Sequence, residues 1–199
     1  MICGLEPPKD AKIDHVREPA NVIVRCENPE DAQERSKIRS VNEAAFGRPD
    51  EAGLIDGLWA EGAVLLSLVA EVERRIVGHI LFSRMWIDTS DGPVAAVALA
   101  PMAVLPERPR RGIGGRLIRR GLDLLRARGE GAVIVLGHAG YYPRFGFSSG
   151  KARMIESPFR PESFLALELR PGALDGVRGK VRYAAAFAQA AYAPHRMRP

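Results

Sequence analysis

A chain of 199 residues suits one domain, and its 46% hydrophobic and 27% charged content is that of a soluble globular protein. Two cysteines, Cys3 and Cys26, exclude a disulfide scaffold, and no Cys/His cluster has metal-ligand spacing. The net charge of +5 is uneven: residues 107–128 hold eight arginines against Glu107 and Asp123, a concentration that suits nucleic acid, an acidic membrane or a phosphorylated small molecule.

Residues 1–20 carry three prolines and scattered charges without apolar periodicity, and read as a flexible tail with no signal peptide. Val22–Cys26 is a short β-type run. Asn28, Pro29, Glu30 and Asp31 offer an N-cap, a first-turn proline and acids, predicting a helix to Phe46 with Ile38, Val41, Ala45 and Phe46 buried. Gly47-Arg48-Pro49 ends it, and Asp50–Ala60 predicts a second short helix. Strands follow at Leu65–Val72 and Arg75–Ile87, paired as a hairpin, and at Val94–Val104 after the Asp91-Gly92 turn. The longest apolar run, Val94–Leu105, is interrupted by Pro101 and too short to span a bilayer, which with the missing leader predicts a cytoplasmic protein.

Residues 105–111 turn through Pro106 and Pro109 into a helix over about Gly112–Arg128, and Ala132–Leu136 is a compact strand buried on both faces. Loop or short helix follows to Phe145, then strands near Arg153–Glu156 and Ser163–Leu169 and a last segment, Gly179–Phe187, that begins as a strand. This order predicts a single α/β domain over residues 21–187, with a mixed, mostly antiparallel sheet, helices on both faces and a second tail at 188–199.

The turn Arg110-Arg111-Gly112-Ile113-Gly114-Gly115 lies between the strongest strand and the strongest helix. Glycines let backbone approach a ligand, a helix N-terminus presents unpaired N–H groups with partial positive charge, and two arginines add field, so the turn suits phosphate. It is not a P-loop, because Arg116 follows Gly115 where Lys-Ser/Thr is needed. Nor is it a dinucleotide fingerprint, because Leu117 stands where the third glycine would fall. A simple tight turn is the competing reading. A nucleic-acid surface is disfavoured, since Arg116, Arg119, Arg120 and Arg126 share a helix whose other face (Ile113, Leu117, Leu124) is apolar, and no aromatic residues interleave them.

Ala103-Val104-Leu105-Pro106-Glu107 with Arg110-Arg111-Gly112-Ile113-Gly114 resembles the acetyl-CoA signature of the GNAT superfamily of N-acetyltransferases. Tyr141-Tyr142-Pro143-Arg144-Phe145-Gly146-Phe147 resembles that superfamily's tyrosine-bearing loop. Ala45–Arg48, Val77–Ile80, Leu99–Pro101 and Val181–Tyr183 resemble a bacterial subgroup of predicted N-acetyltransferases. One departure is Pro109, where the superfamily usually has Gln or Arg.

The resemblance implies a GNAT-like domain whose sheet is splayed at an acetyl-CoA site, with acetyl-CoA as co-substrate, no metal, and a small-molecule or peptide amine as acceptor. It implies pyrophosphate on Arg110, Arg111, Gly112, Ile113, Gly114 and Gly115, pantetheine along the third long strand, and an oxyanion donor near Met102, Ala103 or Val104. Tyr142, four residues before Gly146, takes the place of the acid that protonates the leaving thiolate; Tyr141 is a coenzyme contact and the fallback acid. The base is open: the strand before the turn has no carboxylate, leaving His138, Glu51, Asp50 or a water chain, while His79 reads as structural. Trp59, Phe46 and Trp86 read as core or cleft wall. A non-catalytic acyl-CoA-binding or sensing module is the alternative, and the apolar run Ala184–Ala191 suggests a homodimer contact.

Overall fold

The computed structural model describes residues 22–107 and 112–189. The expected N-terminal tail, Arg110, Arg111 and Pro109, and all but the first two residues of the expected C-terminal tail, lie outside them. The chain runs β1 (Ile23–Cys26), α1 (Ala32–Phe46), α2 (Asp50–Ala60), β2 (Val64–Val72), β3 (Arg75–Thr89), β4 (Gly92–Val104), α3 (Ile113–Ala127) and β5 (Ala132–Leu136). A 3₁₀ turn at Tyr142–Phe145 leads to α4 (Ser149–Ala152), β6 (Ile155–Glu156), β7 (Phe164–Glu168), β8 (Gly179–Arg182) and α5 (Ala186–Gln189). This is the mixed α/β architecture expected, with boundaries moved by a few residues.

The sheet has eight strands in the order β1-β2-β3-β4-β5-β7, with β8 added to β3 and β6 added to β8. Most pairs are antiparallel; β4–β5 and β6–β8 are parallel. β3 serves two partners along one edge: β2 as far as Ser83, and β8 from Trp86 to Thr89.

Two expectations need correction. The first helix begins at Ala32, not at Pro29, because the Asp31 carboxylate accepts from the Gln33 and Glu34 amides and so provides the cap, while Asn28–Asp31 closes a separate turn. The strand expected near Arg153–Glu156 is present but shorter, at Ile155–Glu156, and it follows a one-turn helix, α4 (Ser149–Ala152), that was not expected.

Helices cover both faces. A Cβ at Gly78 would lie 3.1 Å from Ile113 and 3.2 Å from Leu117 of α3, and one at Gly121 of α3 would collide with the Phe82 ring, so α3 lies close on the face of β3 that carries Gly78 and Phe82. The other face carries His79, which meets α1. Its Nδ1 lies 3.2 Å from Asn42 Nδ2 and its Nε2 lies 2.9 Å from Ser67 Oγ, which donates in turn to the Glu27 carboxylate. Ser67 has one proton and gives it to Glu27, so His79 donates from Nε2 and accepts at Nδ1 from Asn42. This chain locks α1, β1, β2 and β3 together.

Burial pushes the His79 imidazole down to about 3. Below an unfolded pKa near 6.5 the unfolded chain therefore binds a proton that the folded chain refuses, and stability falls as pH drops from about 6.5 toward 3. Glu27, pushed up by burial, acts in the opposite sense above the normal carboxylate range, so the histidine contribution is read by difference. Between pH 7 and pH 5 the wild type should lose about 2 kcal/mol more than His79→Gln. Urea unfolding of both proteins at the two pH values measures it; equal losses would mean that His79 is protonated in the fold.

Candidate active site

The site is made by two strands that separate. β4 and β5 pair only over Val97–Leu99 and Val133–Val135. Past Leu136, the Gly137 amide donates to the Ser163 carbonyl (2.9 Å), so the chain turns toward the β7 side and leaves β4. β4 continues to Val104 beside β3, which leaves the Ala100–Val104 edge, about 16 Å long, without a strand partner among the described residues. A register shift opposite Ile80 and Phe82 puts a bulge at Ala100–Pro101, where the edge begins.

The ladder decides which groups face that edge. The Leu105 amide donates to the Val77 carbonyl (2.9 Å), and antiparallel bonding alternates, so Ala103 also turns its backbone toward β3, to His79. Met102 and Val104 therefore direct their N–H and C=O groups to the open side. Of the three residues expected to supply an oxyanion donor, the ladder leaves Met102 and Val104 and commits Ala103 elsewhere.

The glycine turn stands at the far end of this edge. Gly112 takes a left-handed conformation (φ 71°) and is the N-cap of α3, with no side chain capping it. Arg116 donates to the Gly112 carbonyl as the first closed helical bond, so the amides ahead of it, through Gly115, are the unpaired first-turn donors of the helix. A Cβ at Gly114 would lie 2.9 Å from the Tyr141 hydroxyl and 3.6 Å from Met102 Sδ, so β4, the turn and the tyrosine loop converge there. Arg119 lies over the Phe145 ring at 5.4 Å and Arg144 over Tyr141 at 4.7 Å, placing two cations around the turn. Arg119 thus belongs to this cluster, where the sequence suggested only a solvated face. Burial raises the Tyr141 phenol above its usual range against the pull of both arginines, and it stays protonated at neutral pH.

Tyr142 occupies the other bank of the gap. Its ring lies against Gly137, where a Cβ would fall well inside 3.0 Å of two ring carbons, and packs edge-on to Tyr141 (5.3 Å) and Phe147 (5.7 Å). The fit holds the phenol at the end of β5. His138 is exposed, and its carbonyl accepts from the Tyr141 and Tyr142 amides, so its backbone shapes the loop while its side chain meets solvent. Asp50 and Glu51 both pair with Arg48 (3.4 and 2.7 Å), and Glu51 is buried. Among the described residues no group of His, Cys, Asp and Glu could hold a metal ion, and no helix is long and apolar enough to cross a membrane.

Sequence reasoning missed a cavity of about 320 Å³ at the same gap. Its floor is Ala98, Ala100, Ile134 and Leu136, and its wall includes Phe159, Tyr183 and Phe187. Phe46 and Trp59 pack on the main core instead, and neither they nor Trp86 line it. The described part of the Ala184–Ala191 run packs within its own chain, with Ala186 against Gly57.

Residues 29–150 match the family profile of the acetyltransferase (GNAT) domain. The uncharacterized N-acetyltransferase YjhQ of Escherichia coli (strain K12) is 47% identical over 120 residues, 59% of this chain and 66% of YjhQ. YhbS of the same organism is 32% identical over 165 residues, 81% of this chain and 96% of YhbS. The crystal structure of E. coli YhbS in complex with CoA superposes with a TM-score of 0.75 at 30% identity, covering 84% of this chain and 92% of that one. A GNAT family acetyltransferase from Brucella melitensis in complex with acetyl-CoA superposes with a TM-score of 0.70 at 38% identity, covering 84% and 98%.

Proposed function

Because the chain belongs to the GNAT acetyltransferase family, we propose that it moves an acetyl group from acetyl-CoA directly to a primary amine held in the same cleft. The observation that carries this reading is the alignment of three features along one gap: the first-turn amides of α3, the open Met102–Val104 edge and the Tyr142 phenol. CoA and acetyl-CoA are bound by the YhbS and Brucella structures, which share the fold over 84% of the chain.

Each group has work that its chemistry suits. The amides of Gly112, Ile113, Gly114 and Gly115 hold pyrophosphate, with Arg110 and Arg111 adding charge. Tyr141, protonated and beside Gly114, donates to the coenzyme. The Met102 and Val104 backbone groups pair with the amides of the pantetheine arm as a strand partner would, and the Met102 N–H polarises the thioester carbonyl. Pro101 has no N–H, so Met102 offers the first amide past the bulge. Tyr142 protonates the departing thiolate, whose pKa by analogy with cysteine is near 8.5. His138, at the solvent side of the loop, takes the proton released by the amine.

Thiol release from acetyl-CoA, followed with a panel of amines, tests the reading. Amine-dependent release is expected, and Gly114→Asp should weaken acetyl-CoA binding at least tenfold by setting a carboxylate and a Cβ against Tyr141 and the phosphate-binding amides. Tight acetyl-CoA binding without release to any amine would leave a non-catalytic acyl-CoA sensor, the reading that the carboxylate-free β4 strand favours.

A further inference from the structure

The gap between β4 and β5 opens on both faces of the sheet. Val97, Leu99 and Val135 point to the face covered by α3, where the glycine turn lies. Ala98, paired with Ser83 of β3, and Ile134 point to the opposite face and form part of the floor of the 320 Å³ cavity. Donor and acceptor can therefore approach from opposite sides and meet at the Ala100–Pro101 bulge.

The lining of that cavity is selective. Alanines, Ile134, Leu136 and the rings of Phe159, Tyr183 and Phe187 make it apolar, and among the described lining residues Tyr183 has the only polar side chain. Phe159, Tyr183 and Phe187 form a continuous aromatic wall, with centroid separations of 6.2 and 5.0 Å. Glu61, the carboxylate that braces this wall, is engaged by the Ala185 and Ala186 amides at 3.0 Å each. An acceptor with several ammonium groups would bring charge against a lining that, among the described residues, offers no counter-ion, which disfavours its burial. An apolar cavity of about 150 Å³ holds a benzene, so this one has room for a ring and a short arm.

We infer that the acetyl acceptor is an arylalkylamine, a single primary amine on a short arm from an aromatic ring, with the ring seated against Phe159, Tyr183 and Phe187 and the nitrogen at the bulge. The inference rests on the acetyltransferase reading above. In the transfer, the neutral nitrogen bonds to the acetyl carbon and the C–S bond breaks. The sulfur takes the electron pair and a proton from Tyr142, the nitrogen releases its extra proton to His138 and solvent, and Tyr142 is reprotonated from solvent. The products are the N-acetylarylalkylamine and free CoA.

The test is a competition between 2-phenylethylamine, spermidine and kanamycin, with acetylated products measured by mass spectrometry and acetyl-CoA affinity by calorimetry. The full chain should acetylate 2-phenylethylamine with kcat/KM at least tenfold above both polycations. Ala98→Leu, which fills the floor, should raise KM for 2-phenylethylamine at least tenfold with acetyl-CoA Kd within twofold. Phe159→Ala, which removes part of the rim, should raise KM in the same direction and serves if the first variant misfolds. A preference for spermidine or kanamycin, with neither variant affecting KM, would overturn the acceptor assignment and leave the acetyltransferase reading intact. Failure to bind acetyl-CoA at all would overturn both.

Discussion

Replacing Tyr142 with phenylalanine is expected to lower kcat at least tenfold while leaving acetyl-CoA affinity within about twofold. General acids commonly contribute about 10²- to 10⁴-fold, and the substitution removes one oxygen from a ring whose contacts are otherwise kept. The ring itself packs on Gly137, Tyr141 and Phe147, and phenylalanine keeps that packing. The neighbouring Tyr141→Phe should behave differently, because that hydroxyl lies against Gly114 at the turn: it should raise the Kd for acetyl-CoA more than it lowers kcat. Steady-state kinetics with calorimetric binding separates the two phenols. Unchanged turnover in the Tyr142 variant would remove the acid role from that residue, and a fall in kcat confined to the Tyr141 variant would transfer it.

Gly137→Ala should be nearly as damaging without touching a chemical group. The new methyl would occupy space now filled by the Tyr142 ring, and the obstacle is the body of the ring rather than a flexible chain end. Either the ring is displaced or the loop moves off β5. Overpacking of this kind costs about 1–3 kcal/mol, so the melting temperature should fall by several degrees. The kcat should fall at least tenfold because the phenol leaves its position. Scanning calorimetry and kinetics on the one variant check both effects. Unchanged melting with full activity would show that Tyr142 can be seated elsewhere in the loop.

The parts legible in the sequence were those with strong local signals. The apolar run of β4, the glycines at 112–115, the amphipathic α3 and the compact β5 fixed the central crossover to within a residue or two. The same signals marked the turn, while the two tyrosines were singled out by the resemblance of their loop to that of the GNAT superfamily. Local patterning could not show that Ala103 faces β3 while Met102 and Val104 face the gap, since that parity depends on the bulge at Ala100–Pro101 and on pairing with a distant strand. The start of α1 differs because Asn28 and Asp31 are both good caps, and the turn from Asn28 to Asp31 is held by bonds to residues outside any local pattern, the Arg25–Glu34 ion pair (2.8 Å) with Asn28 N–H on the same carboxylate among them. His79 reads as structural from its mid-strand place, but Glu27, Ser67 and Asn42 come from three other elements and carry no common spacing. The cavity was hidden for a like reason: its floor belongs to β4 and β5, and its aromatic wall to short segments without periodicity far along the chain.

That aromatic wall also divides the chain in a way that matters for its descent. The proposed donor half of the cleft, from the Met102 edge to the tyrosine loop, and the cavity floor of Ala98, Ala100, Ile134 and Leu136 fall inside residues 29–150, the stretch that matches the family profile; Phe159, Tyr183 and Phe187 all come after it. On the acetyltransferase reading, the thioester groups and the floor of the acceptor cavity would sit in the matched stretch and the aromatic wall outside it. If that reading holds, exchange of the segment after residue 150 with that of a relative would change the wall and leave the proposed thioester groups in place, and the bonds from the Ala185 and Ala186 amides to Glu61 are the joint at which such an exchange must fit.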